Sequence, residues 1–452
     1  MDILELLTAG IVAAPGIVFL LLGALWLLGW QPSEKAVAVI TAITFVAEVC
    51  AVVALIAGMV VTGRTTVPVT LGSWFEAGSY SFPLVLLADR LSVPMMALTA
   101  VLVGLTGSFS KRYLHRERGF FRFFALLHLF AFGSLLIFAA GSFDLLLAGW
   151  ELVGVTSMAL VAYFFERRDP VRNAIRVFGA YRIADLGLLT GIFLLHHAGG
   201  GGEFSKLMPG DWGHSDQSTT LSGFAVTGIG LLLLLAASGK SAQAPFSGWL
   251  PRAMEGPTPS SAIFYGAISI HAGAYLLLRA QPIVMASAWT QAAVAIIGAG
   301  TALLGTLSHR TSTDAKGSLA YAAMTQVGVI FVEIAAGLHW VALVHICGHA
   351  VVRTMQFLRA PSMLHDHHHV HAAAGGHFAP VGRHFEALFP SGLRAGLYRM
   401  GLDRGFLDAM VDRWLLAPAF ALSHLLEQME PQRGDAGSAP KLETAGGQVD
   451  AD

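Results

Sequence analysis

Gly239-Lys240-Ser241-Ala242-Gln243-Ala244-Pro245 closes an apolar run that begins near residue 220, setting a lysine and a Gly-to-Pro break at the end of an otherwise helical pattern. Proline removes a backbone donor and frees a carbonyl one turn back, here near residue 241. Polar backbone and a charge at such a place require water or a partner, and broken helices of this kind mark ion pathways across membranes. A desolvated lysine can lose its proton near neutrality and regain it beside a carboxylate, which is what a proton switch needs.

The run ending at Lys240 is one of eleven apolar stretches, at about 8-30, 36-61, 88-109, 120-140, 145-165, 173-196, 220-239, 258-279, 287-307, 319-338 and 341-358. Each has the roughly 18 or more residues that a helix needs to cross the hydrocarbon core. The expected fold is therefore an all-α polytopic membrane protein with a broken helix near Lys240. Composition agrees: 55% of the 452 residues are hydrophobic and 13% are charged, about half the charged share of a soluble domain. With 28 Lys plus Arg against 29 Asp plus Glu, no basic field exists to bind nucleic acid. Cys50 and Cys347 lie in apolar runs and read as small buried hydrophobes, so neither a disulfide framework nor a zinc finger is expected.

Lys111, Arg112, Arg116 and Arg118 follow span three, Arg167, Arg168 and Arg172 follow span five, and Arg310 and Lys316 follow span nine. This bias after odd spans predicts an N-terminus outside and a cytoplasmic tail. Asp2 and Glu5 replace the basic region of a signal peptide, so span one is expected to remain in the mature protein. His365 to His371 reads as a mobile His-rich loop, residues 386-428 as amphipathic interfacial or partner-docking helices with no span left to pack into, and 429-452 as a disordered tail. A docking segment and a helix lying on the membrane surface are both open for 386-428.

Ionisable groups at bilayer depth survive only beside a partner or water. Here they are Glu151 in span five, Arg176, Arg182 and Asp185 in span six, Lys240, His271 in span eight, and His345, His349 and Arg353 in span eleven, with Glu48 and Glu333 in spans two and ten. The last-named trio of span eleven stands at i, i+4 and i+8 on one helical face, and Arg182 and Asp185 at i, i+3 are placed to pair. Scaffolding ion pairs are the plain alternative to a proton relay. A zinc protease needs Glu beside the first of two histidines spaced i, i+4, and position 346 is Ile. No metal site and no cofactor are expected, because the chain has no flavin, nucleotide or iron-sulfur motif.

The block Gly239-Lys240-Ser241-Ala242-Gln243 through Trp249-Leu250-Pro251-Arg252-Ala253-Met254-Glu255-Gly256-Pro257-Thr258-Pro259-Ser260-Ser261-Ala262 resembles the signature of the proton-translocating antiporter-like subunits of respiratory complex I (subunit L, NADH dehydrogenase subunit 5), membrane hydrogenases and Mrp antiporters. Trp150-Glu151-Leu152-Val153-Gly154, Arg182-Ile183-Ala184-Asp185, and Asp314-Ala315-Lys316 with Leu319-Ala320-Tyr321 resemble further motifs of that family, over about residues 85-360. The resemblance implies three N-terminal helices (1-110), a first five-helix repeat (111-280), a second repeat (281-360) cut short after spans nine to eleven, then the loop 361-385. It also implies a gate of Glu151 with Lys240, and a proton pathway that adds Asp185, Arg182, His271, His345, His349, Arg353 and Lys316, with Gly239 and Pro245 at the helix break.

Three departures stand out: Arg353 where the family has a lysine, Tyr265 where it has a histidine, and the shortened second repeat. They resemble the short DAB-type branch, which implies a proton-conducting subunit that energises inorganic carbon (bicarbonate) accumulation by a large cytoplasmic zinc-site partner. The alternatives are a proton-pumping subunit of an NADH-quinone oxidoreductase or hydrogenase complex, with respiratory subunits as partners, and a structural subunit with a degenerate channel. Each reading places the chain in a bacterial inner membrane.

Overall fold

The computed structural model describes residues 1–77, 80–214, 217–362, 389–411, 413–414 and 417–429. Among them eleven helices are long and apolar enough to cross a membrane, and the chain is a multi-pass membrane protein. The first is α1 (Ile3–Leu27), which starts five residues earlier than hydropathy alone suggests because Asp2 and Glu5 cap it reciprocally. Ser33 caps α2 (Glu34–Thr62), and Gly63 ends it in the left-handed conformation. Cys50 is exposed on the outward face of α2 rather than buried, and Cys347 is partly so; a thiol is apolar enough to face lipid.

A β-hairpin that hydropathy does not reveal follows, β1 (Val67–Ala77) paired antiparallel with β2 (Tyr80–Ala88). It leads into α3 (Ser92–Tyr113), α4 (Phe120–Ala139), α5 (Phe143–Val161) and α6 (Arg168–Gly199). Asp89, between β2 and α3, accepts from the backbone N–H groups of Leu91 at 3.0 Å and Ser92 at 2.8 Å. It also receives two hydrogen bonds from the buried Arg279 guanidinium, at 2.5 and 3.0 Å. Burial alone would raise the Asp89 carboxyl, but Arg279 and the Ser92 donors outweigh it and hold it below the usual carboxylate range.

Helices α4 and α5 approach closely because both contact positions are glycine: a Cβ on Gly149 would lie 2.6 Å from the Gly133 carbonyl oxygen. After the short α7 (Phe204–Leu207), α8 (Gly223–Lys240) runs against α6 and stops at the lysine. The chain returns through α9 (Trp249–Arg252) to span eight, which is not one regular helix. It is α10 (Thr258–Ser261), a π-helical turn Ala262–Ala267, a 3-10 turn Ser269–His271 and α11 (Ala272–Arg279). Its whole apolar window is buried, against about a third of the windows of α1 and α2, so span eight is the axis of the bundle. Irregular backbone at this depth is tolerated because protein surrounds it.

The remaining spans are α13 (Ala288–Thr311), α14 (Ala315–Ala335) and α15 (His339–Arg359), the first preceded by the short α12 (Gln281–Met285). The helix α16 (Ser391–Leu402) does find a span to pack against, contrary to the sequence expectation. Gly401 meets α13 so closely that a Cβ would sit 2.8 Å from the Leu307 carbonyl oxygen, and Ser308 donates to the Gly401 carbonyl at 3.0 Å. Two units divide the chain, Met1–Asp408 and Ala409–Asp452. Helix α17 (Leu407–Val411) lies at the division, and the second unit contains α18 (Ala417–Met429), 13 residues long. The His-rich stretch 365–371, most of the loop 361–385 and the tail beyond residue 429 lie outside the described residues.

Candidate functional site

Lys240, the last residue of α8, is 1% exposed. Its ammonium donates to the Trp150 carbonyl of α5 at 2.9 Å and lies over two aromatic faces, 4.5 Å from the Tyr181 centroid and 5.0 Å from that of Trp150. A carbonyl and two ring quadrupoles partly replace the water a lysine loses on burial. Gly154 leaves the room: a Cβ there would meet Lys240 Nζ at 3.2 Å and Arg182 Nη2 at 3.3 Å. Two positions of the break are accounted for locally. The Ser241 carbonyl accepts from the Gln243 side-chain amide at 2.9 Å, and the Ala244 N–H donates to Thr301 at 2.9 Å. Gly239 abuts Ala184, which brings α8 against α6, and its carbonyl accepts from Trp249 Nε1 at 2.8 Å. Pro245 is in a cis peptide with Ala244.

Glu151 makes no direct ion pair with Lys240, the contact expected of the gate, although Lys240 bonds the carbonyl of the adjoining Trp150. Its carboxylate is bonded by Arg182, whose other amino group donates to Asp185 at 2.7 Å. Trp150 Nε1 donates to the second oxygen of Asp185 at 2.5 Å. Arg182 thus takes both carboxylates because its planar fork can serve two acceptors at once. Lys240 is joined to the cluster through Trp150, which gives a carbonyl to the lysine and an N–H to Asp185.

The second group surrounds span eight. His271 is fully buried; its Nδ1 lies 2.7 Å from the Ala267 carbonyl and its Nε2 2.8 Å from His349 Nδ1. Arg353 Nε lies 3.3 Å from His349 Nε2. A guanidinium only donates, so His349 Nε2 accepts, its proton is on Nδ1 and is donated to His271, and the proton of His271 is on Nδ1 and is donated to Ala267. One arginine and one carbonyl assign both tautomers. His345 lies one turn away, its ring 6.3 Å from that of His349. It contacts Glu333 at 2.9 Å and Gln326 at 3.1 Å instead.

Between the two groups Trp249 is wedged between Tyr181 and Tyr265, at centroid distances of 4.9 and 5.7 Å. The hydroxyls of Tyr181, Tyr265, Ser157 and Ser269 are buried with no hydrogen-bond partner among the described residues. Buried polar groups of this kind are ordinarily satisfied by water. Lys316 is not brought to either group. It sits in the first turn of α14, ten positions from Gln326, or about 15 Å along a helix, and donates to the Gly256 carbonyl at 3.3 Å.

The sequence reading missed the bridging role of Trp150, the aromatic face of Tyr181, the π-helical turn and the use of Glu333 and Gln326. Gly154 was a signal for the first two, since a glycine one turn after a buried tryptophan leaves room for a side chain from elsewhere. No group of three or more possible metal ligands occurs among the described residues.

Residues 140–379 match the family model described as NADH:quinone oxidoreductase/Mrp antiporter, TM, and residues 74–124 that of the NADH-Ubiquinone oxidoreductase (complex I), chain 5 N-terminus. NADH-quinone oxidoreductase subunit L of Campylobacter jejuni is 32% identical over 297 residues, 66% of this chain and 48% of that protein. A chain of the Mrp complex from Dietzia sp. superposes with a TM-score of 0.65 at 25% identity, covering 79% of this chain and 37% of its own length. A chain of an archaeal membrane-bound sulfane sulfur reductase shares the fold, with a TM-score of 0.65 at 18% identity, over 78% of this chain and 70% of its own. The chain spans about half the length of the curated relatives it matches.

Proposed function

The chain belongs to the NADH:quinone oxidoreductase/Mrp antiporter membrane family, and from that premise we propose that it moves protons as one subunit of a multi-subunit membrane complex. The observation that carries this reading is the file of titratable and hydroxyl-bearing groups inside the bundle, from Glu151, Arg182 and Asp185 through Lys240 to His271 and His349. Such groups are expensive at bilayer depth and are kept where protons travel. Lys240 is the switch. With its proton it is held by the Trp150 carbonyl and by the field of the two carboxylates. Without it, Arg182 is left to neutralise both, so a change at Glu151 or Asp185 alters how firmly the lysine keeps its proton.

Between the histidine pair and Lys240 the proton moves along the hydroxyls of Tyr265, Ser269 and Tyr181, which are left for water to join. Arg353 keeps its own proton and acts as a gate at the pair. While it donates to His349 Nε2, that nitrogen cannot take a proton from His345. When it moves aside, His349 can be protonated on Nε2 and pass its Nδ1 proton to His271. Glu333 and Gln326 hold His345 ready beyond the gate.

The energy source lies in the partners. The departures at Arg353, at Tyr265 and in the second repeat pointed to an inorganic-carbon complex, but the matched relatives carry the names of respiratory and Mrp assemblies, and they favour the alternative reading of a subunit in such an assembly. The distribution of Lys and Arg supports an N-terminus outside and α16 on the cytoplasmic side of a bacterial inner membrane. Purification of the tagged chain from its native membrane tests the partner assignment. Co-purifying redox or antiporter subunits are expected, whereas one large cytoplasmic zinc protein would restore the carbon-accumulating reading.

A further inference from the structure

The inner face of α2 carries polar groups that the line above does not use. Glu48 is the middle residue of the Glu34–Thr62 helix, is 2% exposed, and has no hydrogen-bond partner for either carboxyl oxygen among the described residues. One turn back, Phe45 stacks on His128 of α4 with ring centroids 5.3 Å apart, and Thr41 Oγ1 lies 3.1 Å from His128 Nε2. The Thr41 hydroxyl gives its single proton to the Val37 carbonyl at 2.9 Å, so His128 Nε2 donates to Thr41. That leaves His128 Nδ1 a bare acceptor, and it is buried without a partner.

The helices packed on α2 supply no counter-charge at this depth. On α1 the sole ionisable group is Glu5; on α3 they are Lys111, Arg112 and Tyr113; on α4 they are Arg122 and His128. Phe45 faces Gly104 and Thr41 faces Gly107, a register that sets Glu48 level with Ala100. Lys111 is then about 16 Å further along α3. Leu4 faces Gly58, which puts Glu5 some nine or ten positions, roughly 14 Å, from the Glu48 level. Arg122 is occupied by the Tyr163 carbonyl at 2.6 Å, and Glu34 and Lys35 stand at the far end of α2, where Glu34 meets His115 at 2.7 Å. With His128 neutral, as its donation to Thr41 and its bare Nδ1 make it, an ionised carboxylate so placed would be uncompensated, and a metal cation would need several oxygen ligands that are not there among the described residues.

We propose that Glu48 is a second proton-binding site of this chain, a neutral carboxylic acid at mid-membrane that exchanges its proton with the bare nitrogen of His128 and lies apart from the Lys240 line. Neither atom bonds the other directly, so the exchange runs through a water between them: one proton leaves the carboxyl oxygen as one reaches Nδ1, giving a carboxylate and an imidazolium, and the reverse restores the neutral pair. It is tested by infrared spectroscopy on the purified complex in lipid. At neutral pH the wild type is expected to show a protonated-carboxyl C=O band that shifts in D2O. Glu48→Gln should lose that band, Glu48→Asp should retain it at a displaced frequency, and His128→Phe should slow its shift in D2O. A carbonyl region unchanged in Glu48→Gln, or a band lost when sodium is added to the wild type, overturns the proposal. Should a variant fail to insert, a hydrophobic carbodiimide on the wild type decides: it adds only to a protonated carboxyl, oxygen to carbon and proton to nitrogen. An adduct at Glu48 supports the site; labelling confined to other carboxyls contradicts it.

Discussion

His271 Nε2 and His349 Nδ1 stand 2.8 Å apart across 78 positions of sequence, joining the irregular span eight to α15 through one proton whose place is fixed by Arg353 on one side and the Ala267 carbonyl on the other. Neither ring is charged in this arrangement, and one acceptor, His349 Nε2, is blocked. Under the proposed function the pair is a wire with its gate shut.

Removing the arginine should unlock the tautomers. In Arg353→Ala, His349 can carry its proton on either nitrogen, and 15N NMR of labelled histidine is expected to show a second tautomer that the wild type lacks. A single unchanged tautomer would show that something other than Arg353 assigns it.

Replacing His271 by Gln keeps a polar side chain in the buried site but removes the group that accepts and releases a proton. Proton flux is expected to fall about a hundredfold, the lower range of what a positioned acid-base group contributes. Flux measured in proteoliposomes with unchanged insertion checks it, and an unaltered rate would take His271 out of the path.

Gly154→Val fills the space beside Lys240 Nζ and Arg182 Nη2, where even a Cβ would stand at 3.2 and 3.3 Å. The lysine must then leave the Trp150 carbonyl. Insertion should survive and flux should fall, with a smaller loss in Gly154→Ala; equal flux in all three proteins would mean that the lysine's position is unimportant.

Asp89→Asn leaves the buried Arg279 without its counter-ion and should cost about 3–5 kcal/mol, read as a lower unfolding temperature in detergent. Because the Asp89 carboxyl is held below its ordinary range, its contribution is present above the unfolded value of about 4 and is lost as pH falls through the still lower folded value. The wild type should lose stability along that acid limb more steeply than Asp89→Asn; parallel limbs would assign the acid sensitivity elsewhere.

The eleven spans were legible because hydropathy and length are local properties, and the charged positions within them were legible because a charge in lipid is an anomaly. Pairing was less so. Arg182 had two carboxylates within reach, and spacing could show Asp185 on its own helix but not that Glu151 of α5 would make its direct ion pair with Arg182. The π-helical turn of span eight carries no proline and leaves no hydropathy trace; it becomes visible only where Gly266 meets the backbone of α15 at Arg353 and Thr354. Lys316 looked like a member of the path because it belongs to a family motif, and its place in the first turn of α14 depends on the Asp314 cap that begins the helix.

The central claim is that Lys240 is the switch of a proton path. Proton flux in proteoliposomes holding the chain with its native partner subunits, followed with an internal pH-sensitive dye, tests it in the wild type and in Lys240→Ala at matched insertion. The account expects flux in the first and none above empty liposomes in the second; wild-type flux from a fully inserted Lys240→Ala protein would contradict it.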